Sequence, residues 1–123
     1  MQNNEGWNHV EDTNRDLKLR RIRDLNDQFR RTGQGGRQVI TPGIQAMGLI
    51  AILSLRQQVA AFDAFTEDND PYGEHDFGSL KFLGKTVFWK IDYYNRTFTE
   101  GSPNPADPEV TTRVLTVLLA SEY

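Results

Sequence analysis

The sequence has no cysteine, which excludes disulfides, thiol nucleophiles, cysteine-ligated zinc and iron–sulfur clusters. It also lacks an apolar run long enough to cross a bilayer. The stretch from Met47 to Leu55 stops at Arg56 and Gln57, short of the roughly 20 residues required, and reads as a core helix. The first twelve residues have neither the basic start nor the apolar segment of an export signal. A cytoplasmic protein is therefore expected, and the Asn95-Arg96-Thr97 glycosylation triplet reads as chance. There is no internal repeat, no GxSxG nucleophile elbow and no excess of positive charge. With a net charge of −3 and a pI of about 5.3, nucleic acid is not the expected partner.

What is present suits one globular domain. A chain of 123 residues supports one hydrophobic core and not two. Seven Phe, four Tyr and two Trp give that core large side chains to bury. Charge is uneven: residues 1–37 carry eight Lys/Arg against six Asp/Glu, and residues 38–123 carry six against eleven.

Apolar spacing and turn chemistry predict a small α+β domain over residues 13–123, in the order α-β-α-β-β-α, preceded by a flexible segment over residues 1–12, mobile or loosely docked. Thr13 or Asn14 is the expected cap of a first helix reaching about Arg31, with Leu19, Ile22, Leu25 and Phe29 as its buried stripe. Asp16/Arg20 and Asp27/Arg31 stand at the spacing of helix ion pairs. Arg37 to Thr41 has the β-branched content of a short strand. A second helix is predicted from about Gly48 or Leu49 to Phe65, with Ile52, Leu55, Val59 and Phe62 facing the core. After the turn-rich stretch Asp68-Asn69-Asp70-Pro71, residues 74–94 read as a hairpin, and Val87, Trp89, Ile91 and Tyr93 alternate onto its inner face. Asp107-Pro108-Glu109 has the chemistry of a helix start, so a last helix through Val110, Val114 and Val117 or Leu118 is expected. The sheet would then be short and antiparallel, the hairpin plus residues 37–41, packed against helices.

The hairpin's register decides which ionisable groups meet. A two-residue Leu83-Gly84 turn places a branched side chain at positive φ, which is unfavourable. A three-residue loop, Phe82-Leu83-Gly84, avoids this and is the preferred reading. It sets Phe77 opposite Trp89 and Asp76 opposite Lys90, gathering Glu74, Asp76, Lys90 and Asp92 on one outer face. In the other register His75 lies opposite Asp92. Both gather a binding surface of Asp68, Asp70, Tyr72, Glu74, His75, Asp76, Lys90, Asp92 and Tyr94.

Known chemistries fit that region incompletely. Asp68, Asp70, Gly73, Glu74 and Asp76 match positions of a calcium-binding EF-hand loop, but Ser79 stands where the bidentate glutamate belongs. Solvated acids in a turn are the simpler reading. His75, flanked by Glu74 and Asp76, has the setting of a general base, although no nucleophile accompanies it. The order helix, Gly33-Gln34-Gly35-Gly36, strand is the reverse of a phosphate cradle. The arginines of the first helix are interleaved with Asp16, Asp24 and Asp27, as on a solvated, salt-bridged face.

Three stretches carry a resemblance: Glu67 to Gly78, Trp89 to Tyr94, and Thr112 to Thr116. Through them the chain resembles a family of small alphaproteobacterial proteins, a domain of unknown function, over roughly Arg21 to Tyr123. The family occurs on plasmids and phage-like elements, so the resemblance implies a genomic setting and no mechanism. The chain departs from the family mainly between Thr41 and Ala51, where the family has a proline-containing turn, which leaves the start of the second helix open.

The expected function is a non-catalytic protein-binding module that needs no cofactor and takes a host protein or complex as partner, away from membranes. The resemblance extends this to a mobile-element factor that blocks a host defence complex such as a CRISPR effector. The alternative is a small metal-assisted hydrolase or nuclease. There Asp68, Asp70, Glu74, Asp76 and Asp92 would supply oxygen ligands, and His75, Lys90 and Asp92 the catalytic groups.

Overall fold

A computed structural model of the chain describes the backbone of residues 2–123 and the side chains from residue 13 onward. The chain folds as a small α+β domain with helices on one face of a four-stranded sheet. The first helix, α1, runs unbroken over Gln2–Thr32. No proline precedes Thr13 to stop it, so the cap expected at Thr13 or Asn14 is not used. The expected loose docking of Trp7 and Val10 concerns side chains outside the described residues. The buried stripe of α1 is Ile22, Asn26, Phe29 and Arg30, a face with two polar members. Leu19 and Leu25 are only half-buried. At its end the Gly33 N–H donates to the Phe29 carbonyl at 2.7 Å with φ +76°, a left-handed cap that glycine adopts without strain.

Strand β1 (Gly36–Ile40), the one-turn α2 (Pro42–Gln45) and α3 (Leu49–Ala61) follow. Helix α3 begins where its spacing predicts but ends at Ala61, short of Phe65. Arg30 supplies the reason, since its guanidinium donates to the carbonyls of Val59, Ala60 and Phe62 at 2.8, 3.0 and 2.9 Å. Helix-end carbonyls that would otherwise lack donors are satisfied there. No helix among the described residues is long and apolar enough to cross a membrane.

The hairpin is β2 (Phe77–Phe82) and β3 (Lys85–Tyr94). Its register is that of the two-residue turn and not of the three-residue loop expected from the sequence: Phe77 pairs with Lys90, Gly78 with Trp89, and Phe82 with Lys85. Leu83 and Gly84 form a two-residue turn with φ +50° and +77°, the type I′ pattern whose twist matches the strands. Packing outweighs the local cost at Leu83. The Trp89 indole lies fully buried over Gly78, and a Cβ there would stand 2.3 Å from Nε1. Only the residue without a side chain can sit opposite Trp89, and that fixes the register.

The predicted last helix is a strand, β4 (Thr112–Leu119), closed by a 3₁₀ turn over Ala120–Glu122. Asp107 accepts from the Glu109 N–H at 2.9 Å, so the supposed helix cap serves a turn. Beyond it Thr111, Thr112, Val114, Thr116 and Val117 are β-branched, which favours an extended chain. The strand is central, in the order β1-β4-β3-β2. Burial alternates over Arg113, Leu115 and Val117, but Val114 and Leu118 at the alternate positions are apolar as well, so the sequence from Val114 to Leu119 is a nearly continuous apolar run that fits a helix or a strand. Strand β1 pairs with β4 in parallel and β4 with β3 antiparallel. The sheet is therefore mixed, and the element order is α-β-α-α-β-β-β. Phe29, Ile44, Leu55, Val59, Val87, Trp89, Ile91, Leu115 and Val117 form the core.

Replacing the exposed Leu83 should relieve its backbone without touching the core. Leu83→Asn is expected to raise unfolding free energy by about 0.5–1 kcal/mol, measured by urea denaturation. A destabilised variant would contradict the two-residue turn.

Candidate functional site

Two polar chains run from α1 into the region around the open end of the hairpin. In the first, the Asp27 Oδ1 accepts from Arg30 Nη2 at 3.0 Å and lies 2.8 Å from His75 Nδ1. Asp27 therefore pairs with Arg30 and not with Arg31. His75 stacks on Phe65, with ring centroids 3.8 Å apart and planes 3° from parallel. Its Nε2 faces Asp70 Oδ2 at 3.7 Å, and its backbone N–H donates to the same carboxylate. The positive φ of His75, +56°, turns the ring out of the strand line and toward α1. Asp27 orients the imidazole, and what the other nitrogen meets is a second carboxylate. Among the described residues, the groups that meet the His75 ring nitrogens are these two carboxylates.

In the second chain, Asn26 is fully buried. Its Nδ2 donates to the Glu74 carbonyl at 3.0 Å and to Tyr93 Oη at 2.7 Å, and its Oδ1 accepts from Arg113 Nε at 2.7 Å. Tyr93 in turn donates to Glu74 Oε1 at 2.7 Å. Burial, and then the Glu74 hydrogen bond, holds the Tyr93 hydroxyl well above its usual range and so in its protonated, donating form. Arg113 also donates to the Pro105 carbonyl, which pins the 95–111 loop to the sheet. Burial pulls the Arg113 guanidinium below its ordinary value.

Of the nine residues expected to form one binding surface, Asp70, Glu74 and Asp92 lie close enough to Asp76 for their charges to act on it, and their polar groups are engaged in different directions. Glu74 and His75 are bonded inward, toward α1. Asp70 is buried beneath the His75 backbone. Lys90 and Asp92 pair with each other at 2.7 Å on the opposite side of the sheet from Trp89 and Ile91. Asp68 and Tyr72 are exposed, and Tyr94 lies 5.9 Å from the Phe98 ring. Asp76 is half-buried, and burial followed by the charge of Glu74 raises its carboxyl to about 6. Among the described residues no three of His, Asp or Glu come together as a metal site, so the acids expected as ligands are not assembled into one.

A different surface stands out. Leu49, Ile50 and Leu53 of α3 are 71%, 85% and 51% exposed, unpartnered apolar side chains on one end of a helix. Beside them a groove of about 290 Å³ separates α3 from β1, lined by Val39, Ile40, Ile52, Arg56, Leu115 and Val117. The sequence reading placed the core stripe on Ile52, Leu55 and Val59, and Leu55 and Val59 are indeed buried. A further signal lies in the same run: Leu49, Ile50 and Leu53 are apolar although they fall off that stripe. A helix apolar on more faces than its core covers has something left to bury.

The model of a protein family described as "Protein of unknown function (DUF3768)" matches residues 40–122. No curated protein and no solved structure matches the chain.

Asn26→Ala should leave Arg113 Nε and the Glu74 carbonyl without a partner and take one of the two hydrogen bonds of Tyr93, lowering unfolding free energy by about 3 kcal/mol or more. Asp92→Ala, at a half-exposed pair, should cost less than about 1 kcal/mol. Equal losses in urea denaturation would refute the distinction. Asp76 ionises less readily in the folded chain than in the unfolded one. Its contribution is most favourable below about pH 4, the ordinary carboxyl range, and is lost as pH rises through about 6. Asp76→Asn should therefore raise Tm by a few degrees at pH 7.5 and leave it nearly unchanged at pH 4. A gain at both values would point to another cause.

Proposed function

We propose that this chain, which belongs to the DUF3768 family of proteins of unknown function, is a non-catalytic protein-binding module acting in the cytoplasm through the exposed end of α3. The observation that carries this is the exposure of Leu49, Ile50 and Leu53 beside an apolar groove. Apolar side chains clustered on a surface favour burial against a partner, at roughly 25 cal/mol for each Å² covered. The ionisable groups around His75 are already engaged with one another, and their geometry favours holding α1 to the hairpin over chemistry on a substrate. The alternative of a metal-assisted hydrolase is weaker for the same reason: Glu74 is committed to Tyr93, Asp70 to His75 and Asp92 to Lys90. The resemblance to proteins of plasmids and phage-like elements makes a host defence complex the partner class to test first.

Capture from host lysate tests the proposal. Ile50→Asp/Leu53→Asp should retain at least about tenfold less of a specific partner than wild type, with Tm unchanged because both positions are exposed. His75→Ala should retain the partner as long as the chain stays folded. Retention of the same partners by the double variant would overturn the proposal. So would sedimentation showing a homodimer that the two substitutions abolish.

A further inference from the structure

A partner on α3 would also meet the free edge of the sheet. Strand β1 pairs with β4 on one side only. The Thr41 N–H donates to the Val117 carbonyl at 3.2 Å. Alternate residues of a strand direct their backbone groups to the same side, so Arg37 and Val39 turn theirs toward β4. Gln38 and Ile40 turn theirs to the open edge. Unpaired groups on an edge are a template for another strand unless charge, a bulge or a covering segment blocks them. Here Gln38, Val39 and Ile40 are uncharged, and Arg37 is drawn aside over the Phe98 ring, 4.5 Å from its centroid.

The groove lies directly under this edge, and its floor includes the core residues Leu115 and Val117. It is apolar, and the charged side chain lining it is Arg56; the Glu122 carboxylate, beyond the far end of β1, is taken up by the Thr41 hydroxyl and the Gly43 N–H. Residues 38–62 contain a single charged side chain, Arg56. Arg31 lines the adjoining recess of about 350 Å³ together with Arg56 and Gln38. Among the described residues neither Arg31 nor Arg56 pairs with a carboxylate, although the chain as a whole is acidic.

We infer that β1 accepts an extended acidic segment of the partner protein as an added strand. Its aliphatic side chains enter the groove, and its carboxylates face Arg31 and Arg56. Main-chain pairing supplies the attachment, while the groove and the arginines supply selectivity. The inference rests on the protein-binding reading above and names the kind of segment bound there.

The probe is an acetylated, amidated heptapeptide of alternating glutamate and isoleucine, added to the full chain and followed by amide exchange in NMR. The Gln38 and Ile40 amides should gain protection on binding, while those of Arg37 and Val39, already paired with β4, should change little. A lysine-for-glutamate peptide should bind at least about tenfold more weakly, and Arg56→Glu should narrow or reverse that preference. A peptide N-methylated on its edge-facing amides should not bind. Unchanged exchange at Gln38 and Ile40, equal binding of the lysine peptide, or full binding of the N-methylated one would each overturn the inference. If these arms fail while Ile50→Asp/Leu53→Asp still releases its partner, strand addition falls and the protein-binding reading stands. If the peptide binds as described while that variant keeps its partners, the β1 site stands and the α3 docking face falls.

Discussion

The side chain of Arg30 is fully withdrawn from water, so its charge has to be stabilised entirely within the protein. Burial lowers the guanidinium from its ordinary value, and Asp27, hydrogen-bonded at 3.0 Å, acts against that shift. Three carbonyls at the end of α3 accept from the same group. Its face lies 5.1 Å from the Trp89 ring and 5.5 Å from Phe65, where the negative face of the π-system favours a cation. Its Nε is left without an acceptor, against those rings. One side chain of α1 thereby sets where α3 stops, where the central tryptophan lies and which way Asp27 points. Removing either member of such a pair leaves an uncompensated charge inside, so these elements cannot shift independently.

That constraint separates the molecule into an inner polar layer and an outer apolar one. Asp27 is held by Arg30 and in turn holds His75, which closes the acidic loop against Phe65. Asn26, one position earlier, extends the same layer through Tyr93 and Arg113 to the 95–111 loop. The groups with the most reactive appearance are thus consumed in joining α1 to the sheet. Helix α3 has its C-terminal end fixed by Arg30 and its Leu55 and Val59 face in the core, and its N-terminal end carries exposed leucine and isoleucine. The apolar surface left exposed is the part of α3 that the polar layer does not reach.

The α+β class, α1, α3, β1 and the hairpin were legible because each has a strong local signal: apolar spacing in Ile22 and Phe29, and in Leu55 and Val59, β-branching in Val39 and Ile40, alternation from Val87 to Tyr93. Strand β4 reads as a helix in the sequence because Asp107-Pro108-Glu109 carries helix-start chemistry and Val114 to Leu119 is apolar on both faces, a run that fits either element. The register was misread because the cost of positive φ at Leu83 is local, while the clash that a side chain at position 78 would make with Trp89 exists only in the folded sheet. The roles of Asn26 and Arg30 were hidden for a similar reason. They fall on the buried face of α1 at helical spacing from Ile22, but polar residues there are read as solvent-facing unless their partners, 29 to 87 residues away in sequence, are known.

The place of β4 in the sheet bears on how the chain reaches this fold. It lies between β1 and β3, so the strand formed last in chain order is the one that both sides of the sheet require. Pairing β1 with β4 closes a loop of more than seventy residues, and the entropy of that closure is lost before the contacts it brings are gained. Until residues 112–119 have left the ribosome, β1 has no partner and the hairpin is a lone pair of strands, marginal in water. Sheet assembly is thereby deferred to the end of synthesis of this region. During that interval the apolar α3 and the unpaired edges of β1 and β3 remain exposed to other chains, so the period of greatest aggregation risk is set by strand order and not by native stability.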